Sequence, residues 1–201
     1  MALVAGCAAP PYTYVSDSSA STYFKVPSGW HKISSTAVQK AISGSTAATS
    51  VWYAGYDASP APSAVHVLSE TTSQPFALAL VSPLSSKASA SMSYDELRDF
   101  FLPVTTAARQ SAEKSKAFPL TDFHLLRNQV LTPGQGVHGV RVTFEYTYPD
   151  GATDVFDQVA LTNADDTEVY LLIVHCQAAC YRKHESEINN VMTSFLVKSQ
   201  S

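Results

Sequence analysis

From Tyr23 onward the apolar positions switch between two periods, and the switches mark out the elements. In "YFKVPSGWHKI", Phe24 and Val26 share one side of an extended segment, Pro27-Ser28-Gly29 turns the chain, and Trp30 and Ile33 resume the apolar pattern. Ser34 or Ser35 can then cap a short helix carrying Val38, Ala41 and Ile42 at i, i+3, i+4. "SVWYAGYD" reads as a strand with Trp52, Ala54 and Tyr56 on one face, and "AVHVL" and "FALALV" read as further strands. "SMSYDELRDFFLPV" carries a capping box, Ser93 with Glu96, ahead of a stripe of Leu97, Phe100, Phe101 and Val104, with Pro103 ending or kinking the helix. The polar run 105–116 predicts a second, exposed helix.

The C-terminal half predicts sheet. Val140, Val142, Phe144, Tyr146 and Tyr148 alternate with Arg141, Thr143, Glu145 and Thr147, the period of two expected of a half-exposed antiparallel strand. Pro149-Asp150-Gly151 turns the chain, "TDVFDQVALT" runs back, "NADDT" turns again, and "EVYLLIVHC" follows. This last strand is apolar on both faces, so it belongs in the middle of a sheet covered on both sides. Ile188, Val191, Met192 and Phe195 then form one helical face. The fold expected is α/β (α+β): an antiparallel sheet with helices over both faces, which gives every apolar stripe a surface to bury against.

Composition narrows the function. The chain has 201 residues, enough for one domain, with 45% hydrophobic but only 15% charged residues and a net charge of −4. No Lys/Arg cluster offsets that charge, which excludes a nucleic-acid binder. No apolar run has the length of a membrane span.

The N-terminal segment "VAGC", Val4 to Cys7, resembles the bacterial lipobox, in which the cysteine thiol takes a diacylglycerol group and cleavage makes that cysteine the new N-terminus. Only six residues precede Cys7 and none is basic, so 1–7 reads as a signal-peptide remnant. The Ala/Pro/Ser/Thr-rich run that follows, 8–22, reads as a flexible tether to a single domain over 23–198. The resemblance implies a lipid anchor at Cys7 on the extracytoplasmic face of the cell membrane.

An exported location bears on "VHCQAACYRKH", which holds the other two cysteines. Cys176 and Cys180 are an even pair at a strand-to-helix junction, and in an oxidising compartment the expected product is a disulfide. The alternative is a metal or enzyme centre on Cys176, Cys180 and His184, spaced C-x3-C-x3-H, with His175 as a possible fourth ligand. Against it, His175 and Cys176 point to opposite faces of their strand. His31, His66, His124 and His138 are scattered, no known hydrolase or zinc-protease motif occurs, and neither cofactor nor catalytic residue is expected.

Two motifs bear on family. The opening "YFKVPSGWHKI" resembles the F-x-I/V-P-x-G-W start of the Mog1/PsbP-like superfamily, and the ending "VYLLIVHCQAACYRKHESEINNVMTSFLV" resembles its last strand and helix. With the lipobox, the chain is similar to exported actinobacterial lipoproteins of this fold, the LpqN/LpqT group. The resemblance implies a Mog1/PsbP-like α/β/α sandwich and a non-catalytic binding or accessory protein of the cell envelope with a protein partner. The aromatics Trp52, Tyr53 and Tyr56 are the candidate binding-surface residues, although Trp52 and Tyr53 point to opposite faces.

Overall fold

The computed structural model describes residues 10–47, 49–68, 73–115 and 118–198. Cys7 and the segment 1–7 lie outside them. The elements, in chain order, begin with strands β1 (Tyr12–Asp17), β2 (Thr22–Pro27) and β3 (His31–Ile33), helix α1 (Ser35–Ser43) and strand β4 (Trp52–Asp57). A 3-10 helix (Ala64–Leu68) leads to β5 (Phe76–Pro83), followed by helices α2 (Ser86–Ala90), α3 (Tyr94–Arg98) and α4 (Thr106–Ser115). The four-strand meander β6 (Thr121–Gly134), β7 (Val137–Thr147), β8 (Thr153–Thr162) and β9 (Glu168–Gln177) then runs into helix α5 (Ala178–Met192) and the short strand β10 (Leu196–Val197).

The main sheet has seven strands in the order β3-β4-β5-β9-β8-β7-β6, all antiparallel. β9 sits at its centre with eight consecutive buried residues, Val169 to Cys176, as its two-sided apolarity requires. One face packs under α5 and a three-stranded sheet, β1-β2-β10, through Phe24, Val26, Trp30, Leu172, Val174, Ile188, Val191 and Met192. The opposite face packs under α1, the 3-10 helix and α3 through Val38, Val67, Phe76, Leu97, Phe144, Phe156 and Ile173.

Local chemistry sets the ends of the helices. The hydroxyl of Ser34 accepts from the Ala37 amide, and Gly44, at φ 70°, closes α1 by donating its N–H to the Lys40 carbonyl. The hydroxyl of Ser93 accepts from the Glu96 amide, as the capping box predicts. α3 nevertheless stops at Arg98, well short of the expected stripe. Asp99 accepts the amides of Val104 and Thr105 at 2.7 Å each, so the chain folds back instead of continuing. Leu97 and Val104 still reach the same core, joined by partly buried Phe100 and Phe101.

Four further expectations are corrected. The tether expected over 8–22 is a strand across Tyr12–Asp17, paired in register with β2 from Tyr12↔Pro27 to Asp17↔Thr22. Val15 anchors it in the core beside Phe24. "AVHVL" is the 3-10 helix, because the Asp57 carboxylate accepts the Ser59 and Ser63 amides and meets His66 Nδ1 at 2.7 Å, bending the chain off the sheet. β7 is not half-exposed: Arg141 and Thr143 are buried on the face that α5 covers. Finally, the hydrophobic pattern names three of the four meander strands, but not β6.

Candidate binding groove

α5 does not cover the whole of its face of the sheet. It lies over β8 and β9, and its last turn ends beside β7 and β6. A groove of about 480 Å³ opens there. Its floor is Val159 and Leu161 of β8 with Arg141 of β7. One wall is Gln129, Leu131 and Pro133 of β6, and the other is Met192, Thr193, Phe195 and Leu196 after the helix. Beside the floor the strands approach closely: Gly139 pairs with Leu131 on one side and Leu161 on the other. A Cβ there would come within 2.1 Å of the Ala160 carbonyl oxygen, so no side chain can fill that point.

Arg141 is the polar group in the floor, and it is held on all sides. Its Nε and Nη2 donate to the two oxygens of Asp157 at 2.9 and 2.7 Å, a bidentate pair, and its Nη1 donates to Asn189 Oδ1 of α5 at 3.0 Å. The Tyr181 hydroxyl, also from α5, donates to Asp157 at 2.9 Å. Burial alone would lower the pKa of Arg141, but the hydrogen bond and charge of Asp157 outweigh it and raise the value. Burial, then the Asp157 charge, pushes the Tyr181 phenol well above its ordinary range. Arg141 therefore stays charged and Tyr181 neutral at physiological pH, a fixed polar network under an apolar groove.

The residues singled out in the sequence lie elsewhere. Cys176 and Cys180 are bonded to each other, with Cα atoms 5.9 Å apart, fixing the start of α5 to the end of β9. His175 lies on the other face of β9, as strand parity requires, fully buried and stacked on Phe156 with centroids 5.3 Å apart. Its Nδ1 sits 3.3 Å from Asp154 Oδ2. His184 lies on α5 with Nδ1 3.4 Å from Glu187 Oε1. The cluster Cys176, Cys180 and His184 is thus not assembled as a centre, and no cluster of three metal-ligating side chains occurs among the described residues. The aromatic patch is corrected as well. Tyr56 is a core residue, 4% exposed and edge-on to Phe24, while partly buried Trp52 and Tyr53 pack against opposite faces of the sheet.

Sequence reading missed Arg141, Asp157 and the whole groove. A signal for the ion pair was present, since Arg141 and Asp157 are charged residues within otherwise buried strands either side of the Pro149-Asp150-Gly151 turn. Counting the register back from that turn places Asp157 opposite Thr143, diagonal to Arg141.

No family model and no curated protein matches the sequence. Solved structures do match. Cyanobacterial PsbP (CyanoP) from Synechocystis aligns with a TM-score of 0.57 and 13% identity, covering 98% of this chain and 99% of that one. The Saccharomyces cerevisiae Ran-binding protein Mog1p aligns at 0.50 and 9% identity, over 92% and 95% of the two chains. The fold is Mog1/PsbP-like. A further Mog1/PsbP-like match is LpqN, described as involved in cell envelope biogenesis of Mycobacterium tuberculosis, at 0.51 and 13% identity over 94% and 87% of the chains. At these identities the likeness establishes the Mog1/PsbP-like architecture, not an activity.

Proposed function

We propose that this chain is a non-catalytic binding protein of the cell envelope, anchored by acylated Cys7 at the extracytoplasmic face of the membrane. In this reading it receives the apolar body of a small ligand in the groove between α5 and β6. The observation that carries the reading is the groove itself. Its volume lies within the roughly 300–1,000 Å³ typical of small-molecule sites, and its lining is mostly apolar with one fixed polar group, Arg141. An acceptor group on the ligand would meet the guanidinium, already neutralised by Asp157. Support for the location comes from the lipobox-like Cys7, from the Cys176–Cys180 disulfide, which suits an oxidising compartment, and from the fold shared with LpqN of the mycobacterial envelope.

Mass spectrometry of the protein isolated from its native membrane tests the reading. The expected result is an acylated Cys7 at the N-terminus and one small molecule retained under native ionisation, lost in a Thr193→Trp variant that fills the groove. An unmodified Cys7, or free thiols at Cys176 and Cys180 with one zinc bound, would contradict it.

A further inference from the structure

The chain enters its fold through the small sheet, and the outer face of that sheet is uncovered. β1, β2 and β10 send Val15, Phe24 and Val26 inward to the core. Strand parity then sends their neighbours outward. Tyr14 stands opposite Lys25 and Ser16 opposite Tyr23, between the inward pairs Thr13↔Val26, Val15↔Phe24 and Asp17↔Thr22. Tyr12, two residues before Tyr14, shares the outer face. Tyr14 is 76% exposed. At the far edge Leu196 pairs with Tyr23, but it is part of the groove wall, so the face proper is β1 and β2.

Two lysines lie against these rings. Lys25 Nζ is 4.4 Å from the Tyr12 ring centre, and Lys198 Nζ, just past β10, is 4.7 Å from that of Tyr23. The three strands hold one carboxylate, Asp17. It has the inward parity, opposite buried Thr22, and its Oδ1 accepts the Ser19 and Ala20 amides. At the Pro27 end α5 contributes Lys183 and Glu187, one charge of each sign.

Tyrosines whose rings are apolar and whose hydroxyls need water belong at the level of lipid headgroups. Lysines there lay their stems along apolar surface and reach the phosphates with their ammonium groups. The position of the face suits that setting. Four residues separate Cys7 from Pro11, so a lipid on Cys7 would hold the start of β1 within about 14 Å, the fully extended limit.

We propose that the outer face of β1 and β2, through Tyr12, Tyr14, Tyr23 and Lys25, lies against the membrane headgroups, with Lys198 at its margin. The placement rests on the anchor at Cys7 proposed above and adds an orientation to it. The core of the small sheet and α5 then sits above the membrane, and the face of the main sheet under α3 points away from it.

Cys176 and Cys180 are bonded to each other, so Cys7 carries the chain's free thiol. The test couples the full chain through that thiol to vesicles of phosphatidylcholine and phosphatidylglycerol that carry a maleimide headgroup lipid. Hydroxyl-radical oxidation of each tyrosine is then read by mass spectrometry. Oxidation of Tyr14 should fall several-fold on coupling, and Tyr12 and Tyr23 should follow. Tyr94, exposed on α3, should be unchanged. Tyr14→Glu with Lys25→Glu, both on the outer face, should return Tyr12 and Tyr23 to the oxidation of the uncoupled chain. Equal protection of Tyr14 and Tyr94, protection of Tyr94 alone, no protection, or protection that survives the double replacement would each overturn the proposal. So would protection of Tyr14 that rises with concentration in the uncoupled chain, which would assign the face to a second copy. The maleimide lipid supplies the anchor, so failure here counts against the face alone, while the native mass spectrum tests the acylation of Cys7.

Discussion

The two faces of the main sheet are closed by different means, and the difference locates the functional surface. On the face under α1, the 3-10 helix and α3, large rings fill the space. Phe144 stacks on Phe156 with centroids 5.4 Å apart, and Phe156 stacks in turn on His175 at 5.3 Å. Gln158 of β8 donates to the Leu97 and Arg98 carbonyls at the end of α3, so even its polar group is used to hold the cover down. The α5 face is secured at one end by the Cys176–Cys180 bond and in the middle by the Arg141–Asp157–Tyr181 network. Beyond that network α5 ends and the face stays open as the groove. Short independent helices can be placed wherever rings need covering. A single long helix covers only the strands it crosses, and the remainder is left for a ligand.

The largest effects should come from the buried groups that define each face. Asp157→Ala leaves the Arg141 guanidinium buried without its carboxylate and should cost about 3–5 kcal/mol in urea unfolding. Replacing both, Arg141→Met with Asp157→Leu, should recover most of that loss. Phe156→Ala on the opposite face should cost about 3–5 kcal/mol with no such rescue, because the loss there is a cavity. If the double replacement is as damaging as Asp157→Ala alone, the two faces are not held by different physics. The staple comes next. Cys176→Ala with Cys180→Ala should cost about 2 kcal/mol through loss of a short closed loop, lowering Tm by about 4–8 °C, and a reductant acting on the unaltered chain should have the same effect.

A smaller effect of pH is common to the two faces. Burial raises the pKa of Tyr181 on the α5 face and of Tyr146 on the other, where its hydroxyl donates to the Pro103 carbonyl. A raised pKa in the folded state means that the stabilisation is complete below the ordinary phenol value of 10.0 and declines as pH rises above it. Stability should therefore be insensitive to these groups at neutral pH and fall in alkali. Tyr181→Phe and Tyr146→Phe should each flatten part of that fall in pH-dependent unfolding.

The closed parts of the molecule are the parts that the sequence makes legible. Two-sided apolarity places β9 at the centre, the stripe of Ile188, Val191, Met192 and Phe195 identifies the core face of the last helix and its continuation, and cysteine parity anticipates the disulfide. Each is a property of one segment. β1 is hidden because its Ser/Thr/Pro-rich surroundings mimic a tether, while the feature that orders it is a partner strand. β6 is hidden because repeated register shifts break its alternation and leave it largely exposed, so no period appears. The groove is hidden for a deeper reason. It is made by where α5 stops relative to β6, β7 and β8, which is not local to any segment.

The central claim is that the open end of the α5 face is a binding groove, and a fluorescent apolar probe tests it most directly. N-phenyl-1-naphthylamine should bind the full chain saturably at one site. Thr193→Trp, an exposed change on the groove wall expected to leave stability within about 0.5 kcal/mol, should abolish that binding. Equal probe binding by the unaltered chain and by a folded Thr193→Trp variant, or no saturable binding by either, would contradict the account.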